Sequence, residues 1–171
     1  QRRPVYDSIA LYVDTTDRSA EDAAEIVTSL VESLGDLHLT SAPVTTPDGG
    51  YGVVIGADAV THIGPLLRAR DVSRRVVIVS DENVNVLYGA KVRQRLEAVG
   101  LRAVRVEIPP GERNKRLETV TDLYHAFVAA GADRGTAVLA LGGGVVGDVA
   151  GYAAATFMRG MPLVQVPTTV L

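Results

Sequence analysis

The chain has 171 residues, 47% of them hydrophobic and 22% charged, with a formal net charge of −3 and no cysteine. That balance fits a folded globular protein, excludes a disulfide framework or thiolate metal site, and gives no electrostatic reason to expect nucleic acid. The longest apolar region, residues 136–158, is broken by five glycines and by Asp148, so it is a poor membrane span, and the absence of a visible leader peptide sets the expectation of a cytoplasmic protein.

Residues 1–34 read as a first unit: a short helix over 6–10, a strand over 11–14 and a helix over 21–34. Ser19 and Asp22 make a capping-box-like start, and Gly35 is a stop signal. Ala23, Ile26, Val27, Leu30, Val31 and Leu34 form one helical stripe, which so small a unit cannot bury by itself. With Gln1 in place of Met and Leu171 just past a strand end, both termini read as cuts through something longer. Residues 35–50, GDLHLTSAPVTTPDGG, lack periodicity and read as a linker.

From Tyr51 onward strands and helices alternate. Strands are expected near 51–55, 75–80, 102–107, 136–141 and 162–166, and helices near 57–69, 84–99, 114–130 and 145–158. Gly100 and Gly131 fall just past two of those helices. The alternation predicts an α/β fold, a parallel sheet covered by helices on both faces.

Gly142, Gly144 and Gly147 match G-x-G-x-x-G after a strand, a turn whose bare backbone N–H groups suit phosphate. The dinucleotide fingerprint also asks for an acid roughly 20 residues later to hold a ribose, and no Asp or Glu follows Asp148. Other strand ends carry the missing chemistry. Asp81-Glu82-Asn83 follows the strand at 75–80, and Pro110-Gly111-Glu112-Arg113-Asn114-Lys115 follows the strand at 102–107. Thr168-Thr169 follows the last strand. In a parallel sheet these clusters share one carboxyl edge, where ligands of open α/β sheets bind. Carboxylates at Asp81 or Glu112 suit ribose hydroxyls, and Lys115 and the glycine amides suit phosphate. Solvated turns and caps are the plainer reading of the same residues. Arg159 lies too far along its helix to share the phosphates at the helix start; it is either a surface residue or a contact for a substrate anion or another subunit. His38, His62 and His125 show no metal spacing.

The motifs DENV (81–84), PPGERNK (109–115) and GGGVVGDVAGYAAATFMRG with VPTTVL (142–171) resemble those of 3-dehydroquinate synthase, a sugar phosphate cyclase. The likeness covers residues 51–171 and implies a Rossmann-like NAD-binding domain. It implies that Asp81 and Asn83 contact the adenosine side of NAD, and that Glu112 and Lys115 also hold the cofactor. Gly143, Gly144 and Asp148 match the pyrophosphate turn, and Thr168 and Thr169 the paired threonines of the cofactor site. Arg159 matches an arginine that reaches the substrate phosphate of a neighbouring subunit, which implies a homodimer. The implied reaction converts 3-deoxy-D-arabino-heptulosonate 7-phosphate to 3-dehydroquinate and phosphate in the shikimate pathway. NAD acts as a regenerated catalyst, and a divalent metal (zinc or cobalt) is held by residues beyond Leu171, with no metal ligand in this chain.

RRPVYDSIALYVDTTDRSAEDAAEIVTSL, in residues 2–30, resembles the C-terminal end of shikimate kinase. Arg2 matches that family's shikimate-carboxylate arginine, and Arg18 falls near a residue lying against the ATP adenine. The phosphate loop G-x-x-x-x-G-K-[ST] is absent, so kinase activity cannot reside in this chain. The implied organisation is a P-loop kinase tail (1–34), a linker (35–50) and an NAD-binding domain (51–171), the piece of a bifunctional protein. Alternatives are another sugar phosphate cyclase, an iron-dependent alcohol or glycerol dehydrogenase, and a nonenzymatic nucleotide-binding module. Val145-Val146-Gly147-Asp148 after the triple glycine and Val170-Leu171 after the threonines speak against the dehydrogenase.

Overall fold

A computed structural model of the chain describes residues 40–46, 49–56, 58–70 and 72–169. The expectations for residues 1–34, including Arg2 and Arg18, lie outside the described residues. The chain divides into two compact units between residues 71 and 72.

In the first unit, β1 (Thr40–Thr46) and β2 (Gly49–Ile55) pair antiparallel, with Thr40 opposite Ile55 and Thr46 opposite Gly49. A 3-10 turn, Ala59–His62, leads into the short helix α1 (Ile63–Arg68), which buries Ile63 and Leu67. This corrects two expectations. The stretch read as a linker contains a strand, and the strand expected at 51–55 belongs to a hairpin rather than to the parallel sheet. The Pro, Gly and Ser of this stretch hid β1, although Val44 and its three threonines favour extended backbone.

The second unit is a four-stranded sheet in the order β4-β3-β5-β6, every pair parallel. Its strands are β3 (Arg75–Asp81), β4 (Arg102–Ile108), β5 (Ala137–Gly142) and β6 (Leu163–Pro167). The central strands are near-continuous apolar runs because both their faces are covered. Val76 to Val79 and Ala137 to Leu141 are essentially inaccessible, whereas the edge strands β4 and β6 alternate between exposed and half-buried residues.

Three helices connect these strands: α2 (Ala90–Glu97), α3 (Leu117–Ala129) and α4 (Gly144–Thr156). A helical turn at Glu82–Val84 and a π turn at Asn85–Gly89 lead into α2, where the sequence predicts a regular helix from 84. Val77, Val79, Val138 and Ala140 form one core with Leu123 and Phe127 of α3 and Val149, Ala150 and Ala153 of α4. Ile78, Leu139 and Leu141 point to the opposite face, on the side where α2 buries Val92 and Leu96 along β4. Each such side chain contributes about 1.5–3 kcal/mol on full burial.

The path matters for function. From β3 the chain runs outward to β4, then crosses back to β5 on the other side and continues to β6. Right-handed crossovers put the connecting helices on opposite faces for the two directions. The carboxyl ends of β3 and β5 therefore flank the topological switch point, where such sheets open a crevice for ligands.

Candidate functional site

The two strands at the switch point end in Asp81 and in Gly142. Ser80 Oγ donates to the Leu141 carbonyl at 2.7 Å, tying the strand ends together. Asp81 begins the helix that follows it: its Oδ1 accepts from the Val84 N–H at 3.0 Å. Its other oxygen has no hydrogen bond among the described residues. Asn83, in the same turn, is exposed.

The glycine turn works by close approach. A Cβ at position 142 would come 2.5 Å from Val146 Cγ2 and 2.7 Å from its Cβ, so α4 can begin against the end of β5 only because residue 142 has no side chain. A Cβ at 143 would come 3.0 Å from Thr169 Oγ1, which places the second threonine over the turn. The Thr168 N–H donates to the Gly142 carbonyl at 3.0 Å, fastening the end of β6 beside it. The intrahelical bond from the Gly147 N–H to the Gly143 carbonyl, 3.0 Å, leaves the amides of Gly144, Val145 and Val146 without helical acceptors. Three free donors at the positive end of a 13-residue helix form a seat for an anion.

The loop after β4 reaches the same place. Gly111, with φ 99°, turns the chain into the 3-10 turn Glu112–Asn114. Lys115 Nζ then lies 2.6 Å from Asp148 Oδ2 on α4 and 3.3 Å from Glu112 Oε1. Hydrogen bonding to Asp148 first, and to Glu112 second, holds the Lys115 ammonium above the ordinary lysine range. The cation thus joins two of the polar strand ends.

Of the residues expected at the site, Glu112, Lys115 and Asp148 are in direct contact, and the glycines are laced to Thr168 and Thr169. Asp81 and Asn83 stand at the neighbouring strand end. Arg159 is not among them: it follows the far end of α4, before β6 begins. Its side chain is exposed, with no ion pair or hydrogen bond among the described residues.

Two supporting residues carried no role in the sequence reading. Asn114 is buried and donates through Nδ2 to the Pro110 carbonyl at 2.8 Å, closing the loop that carries Glu112 and Lys115. Its place in a Pro-Gly-rich turn, where Asn side chains bond to nearby backbone, is the signal that finds it. Gln165 Nε2 donates to the Gly147 carbonyl at 3.2 Å, linking β6 to the first turns of α4. A lone amide in the apolar strand Leu163–Pro167 is its signal.

Among the described residues no group of three or more His, Asp and Glu is placed to hold a metal ion. No helix among them is long and apolar enough to cross a membrane.

Residues 105–171 match the family profile described as 3-dehydroquinate synthase N-terminal. The 3-dehydroquinate synthase of Symbiobacterium thermophilum is 48% identical over 122 residues, covering 71% of this chain and 34% of that protein. The chain thus spans about a third of the length of the curated relatives it matches. Among solved structures, a 2-deoxy-scyllo-inosose synthase complexed with carbaglucose-6-phosphate, NAD+ and Co2+ superposes with a TM-score of 0.70 at 29% identity. It covers 75% of this chain and 35% of its own. The 2-epi-5-epi-valiolone synthase of Streptomyces hygroscopicus subsp. jinggangensis, with NAD+ and Zn2+ bound, superposes with a TM-score of 0.54 at 37% identity over 59% of this chain and 28% of that one. The profile match and the curated relatives point the same way: residues 105–171 carry the N-terminal profile of 3-dehydroquinate synthase, and the chain is similar to those enzymes over 71% of its length.

Proposed function

We propose that this chain supplies the NAD-holding part of an enzyme that converts 3-deoxy-D-arabino-heptulosonate 7-phosphate to 3-dehydroquinate and phosphate. One observation carries the reading: at a topological switch point, three free helix amides, a lysine held between two carboxylates, and a pair of threonines converge on a turn that has no room for a side chain at Gly142. That donor set fits a dinucleotide. The amides of Gly144, Val145 and Val146 suit the pyrophosphate, with Gly143 giving backbone access. Asp81, Asn83 and Glu112 suit the adenosine and ribose groups, and Thr168 and Thr169 offer hydroxyls beside the turn. Lys115 bonds to Glu112 and Asp148 and offers its remaining N–H to the cofactor. The chemistry that NAD supplies when bound is reversible hydride transfer at a substrate hydroxyl.

A divalent metal belongs to the same reading, and the solved relatives that hold Co2+ or Zn2+ support it; the described residues of this chain offer it no seat. Arg159 is assigned to the substrate phosphate. Helix α4 runs for 13 residues, about 20 Å at 1.5 Å per residue, so the glycine turn and Arg159 are on opposite edges of the sheet. That separation supports an arginine that serves a second copy's site in a homodimer. The kinase-like motif in residues 2–30 supports a fusion of two shikimate-pathway activities in one cytoplasmic protein, with Arg2 and Arg18 as remnants of the kinase sites. A phosphate loop G-x-x-x-x-G-K-[ST] in the sequence preceding Gln1 is the test of that fusion, and its absence would remove it.

The cofactor reading is tested by calorimetric titration of the chain with NAD. Saturable binding at one site, weakened at least tenfold by Lys115→Met, is expected. A chain that melts cooperatively yet shows no saturation at millimolar NAD would refute the reading.

A further inference from the structure

Helix α4 ends in an unusual turn. Met158 has φ 49° and ψ 28°, Arg159 has φ 69° and Gly160 has φ 113°. Two consecutive non-glycine residues occupy the left-handed region, where Cβ crowds the following carbonyl oxygen. Glycine is used at 160, the third position, and not at the first two.

The turn is pinned at both ends. The Gly160 N–H donates to the Phe157 carbonyl at 2.9 Å, and the Met161 N–H to the Ala154 carbonyl at 2.8 Å. The Phe157 ring meets Phe127 edge-on at 5.4 Å and lies tilted against Tyr124 at 5.7 Å. Tyr124 Oη is 2.6 Å from Thr156 Oγ1, which lies 2.6 Å from the Tyr152 carbonyl. Packing does not explain methionine between these anchors, because Met158 is 47% exposed. Glycine would remove the steric cost, but it would also open a wide range of φ. A residue with a Cβ is confined on this side of the map to a small basin near φ +50 to +70°. Strain of this kind persists where surrounding structure over-determines it, and it gathers at functional positions. The next residue is Arg159, exposed and without a protein partner among the described residues.

We propose that Met158 is a positioning residue: its left-handed backbone fixes the direction in which Arg159 presents its guanidinium to an anionic substrate group. The inference rests on the assignment of Arg159 to the substrate phosphate. Narrowing φ at 158 reduces the set of directions available to the arginine, so less orientational freedom is lost when the anion binds. The Cβ of Met158 matters here, and its thioether does not.

The experiment measures kcat, KM for the sugar phosphate, NAD affinity and Tm in the full-length enzyme carrying M158G, M158N or R159A. Asparagine tolerates the left-handed region while keeping a Cβ. M158G is expected to raise KM about tenfold, with NAD affinity unchanged and Tm unchanged or raised. M158N is expected to restore KM to within about twofold of the parent. R159A is expected to lose most turnover while retaining NAD affinity. If R159A is impaired but M158G keeps the parental KM, or if M158N is as impaired as M158G, the positioning role is overturned and the arginine assignment stands. If M158G lowers Tm and NAD affinity together, Met158 is structural and the proposal is overturned. If R159A is silent, the arginine assignment itself falls, and the positioning role with it.

Discussion

The two ends of helix α4 reach opposite solutions to the same steric problem. At its start, Gly142 and Gly143 remove side chains so that Val146 and Thr169 can close in and leave backbone amides bare. At its finish, Met158 and Arg159 keep their side chains in a conformation that disfavours them. The first end exposes backbone by subtraction, and the second directs a side chain by constraint. A site for an extended anion needs the former, whereas delivery of a single charge over a distance needs the latter.

The comparison is broken most severely at Gly142. Gly142→Ala puts a methyl 2.5–2.7 Å from Val146, and overpacking of that kind costs about 1–3 kcal/mol. The expected result in a thermal melt is a Tm several degrees lower, accompanied in calorimetry by loss of NAD binding. An unchanged melt would mean that the start of α4 yields easily and that the crowding there is not structural.

Lys115→Met separates binding from stability at the same end. Its partners Glu112 and Asp148 are well exposed, and exposed pairs add little to stability because solvent screens them. Tm is expected to move by no more than a few degrees while NAD affinity falls about tenfold. Equal losses in both would make the lysine a structural clasp. The pH dependence follows from its raised pKa: the charged form is complete below the ordinary lysine value and is lost as pH rises through the folded one. NAD affinity is therefore expected to show no lysine-dependent change between pH 6 and 9.

At the far end, Tyr124→Phe removes the contact with Thr156 Oγ1. A loss near 0.5 kcal/mol is expected, at the low end for one hydrogen bond, because the pair is exposed and Thr156 keeps its bond to the Tyr152 carbonyl. NAD titration of this variant should match the parent; weaker NAD binding would show that the two ends of α4 are coupled.

The smallest effect lies at Asp133, in the turn before β5. The Thr136 hydroxyl, followed by the backbone N–H groups of Gly135 and Thr136, holds its carboxyl below the usual aspartate value. Its contribution is present above the unfolded pKa and lost as pH falls through the folded one. In urea melts, Asp133→Asn should be slightly less stable than the parent at pH 6, with the gap closing below about pH 3.8. A gap that persists at pH 2 would assign the effect to packing.

Much of this architecture was legible in the sequence because the central strands are written plainly. Arg75–Asp81 and Ala137–Gly142 are apolar runs bounded by polar ends, as strands covered on both faces must be. The polar residues that follow these strands lie along one carboxyl edge, as a parallel sheet requires. Where short-range signals compete, the reading was poorer. Strand β1 was hidden because proline, serine and the flanking turn residues masked its threonines and Val44. The π turn at Asn85–Gly89 leaves no mark on a helical periodicity. Nor does composition show that Met158 and Arg159 are left-handed, since neither residue type favours that region. Gln165 and Asn114 bond to backbone, and such partners become visible only once strands and loops are placed.

The strand order has a consequence for assembly. Ser80 and Leu141, joined across the central pair of the sheet, are 61 residues apart in sequence. Bringing distant segments together is an entropic cost that local contacts do not share. The crevice therefore lies on the longest-range seam of the sheet, and a dinucleotide bound to Asp81 on one side and the glycine turn on the other would hold that seam shut. Cofactor occupancy would then raise the free energy of separating β3 from β5, making the ligand a staple in the fold as well as a reagent.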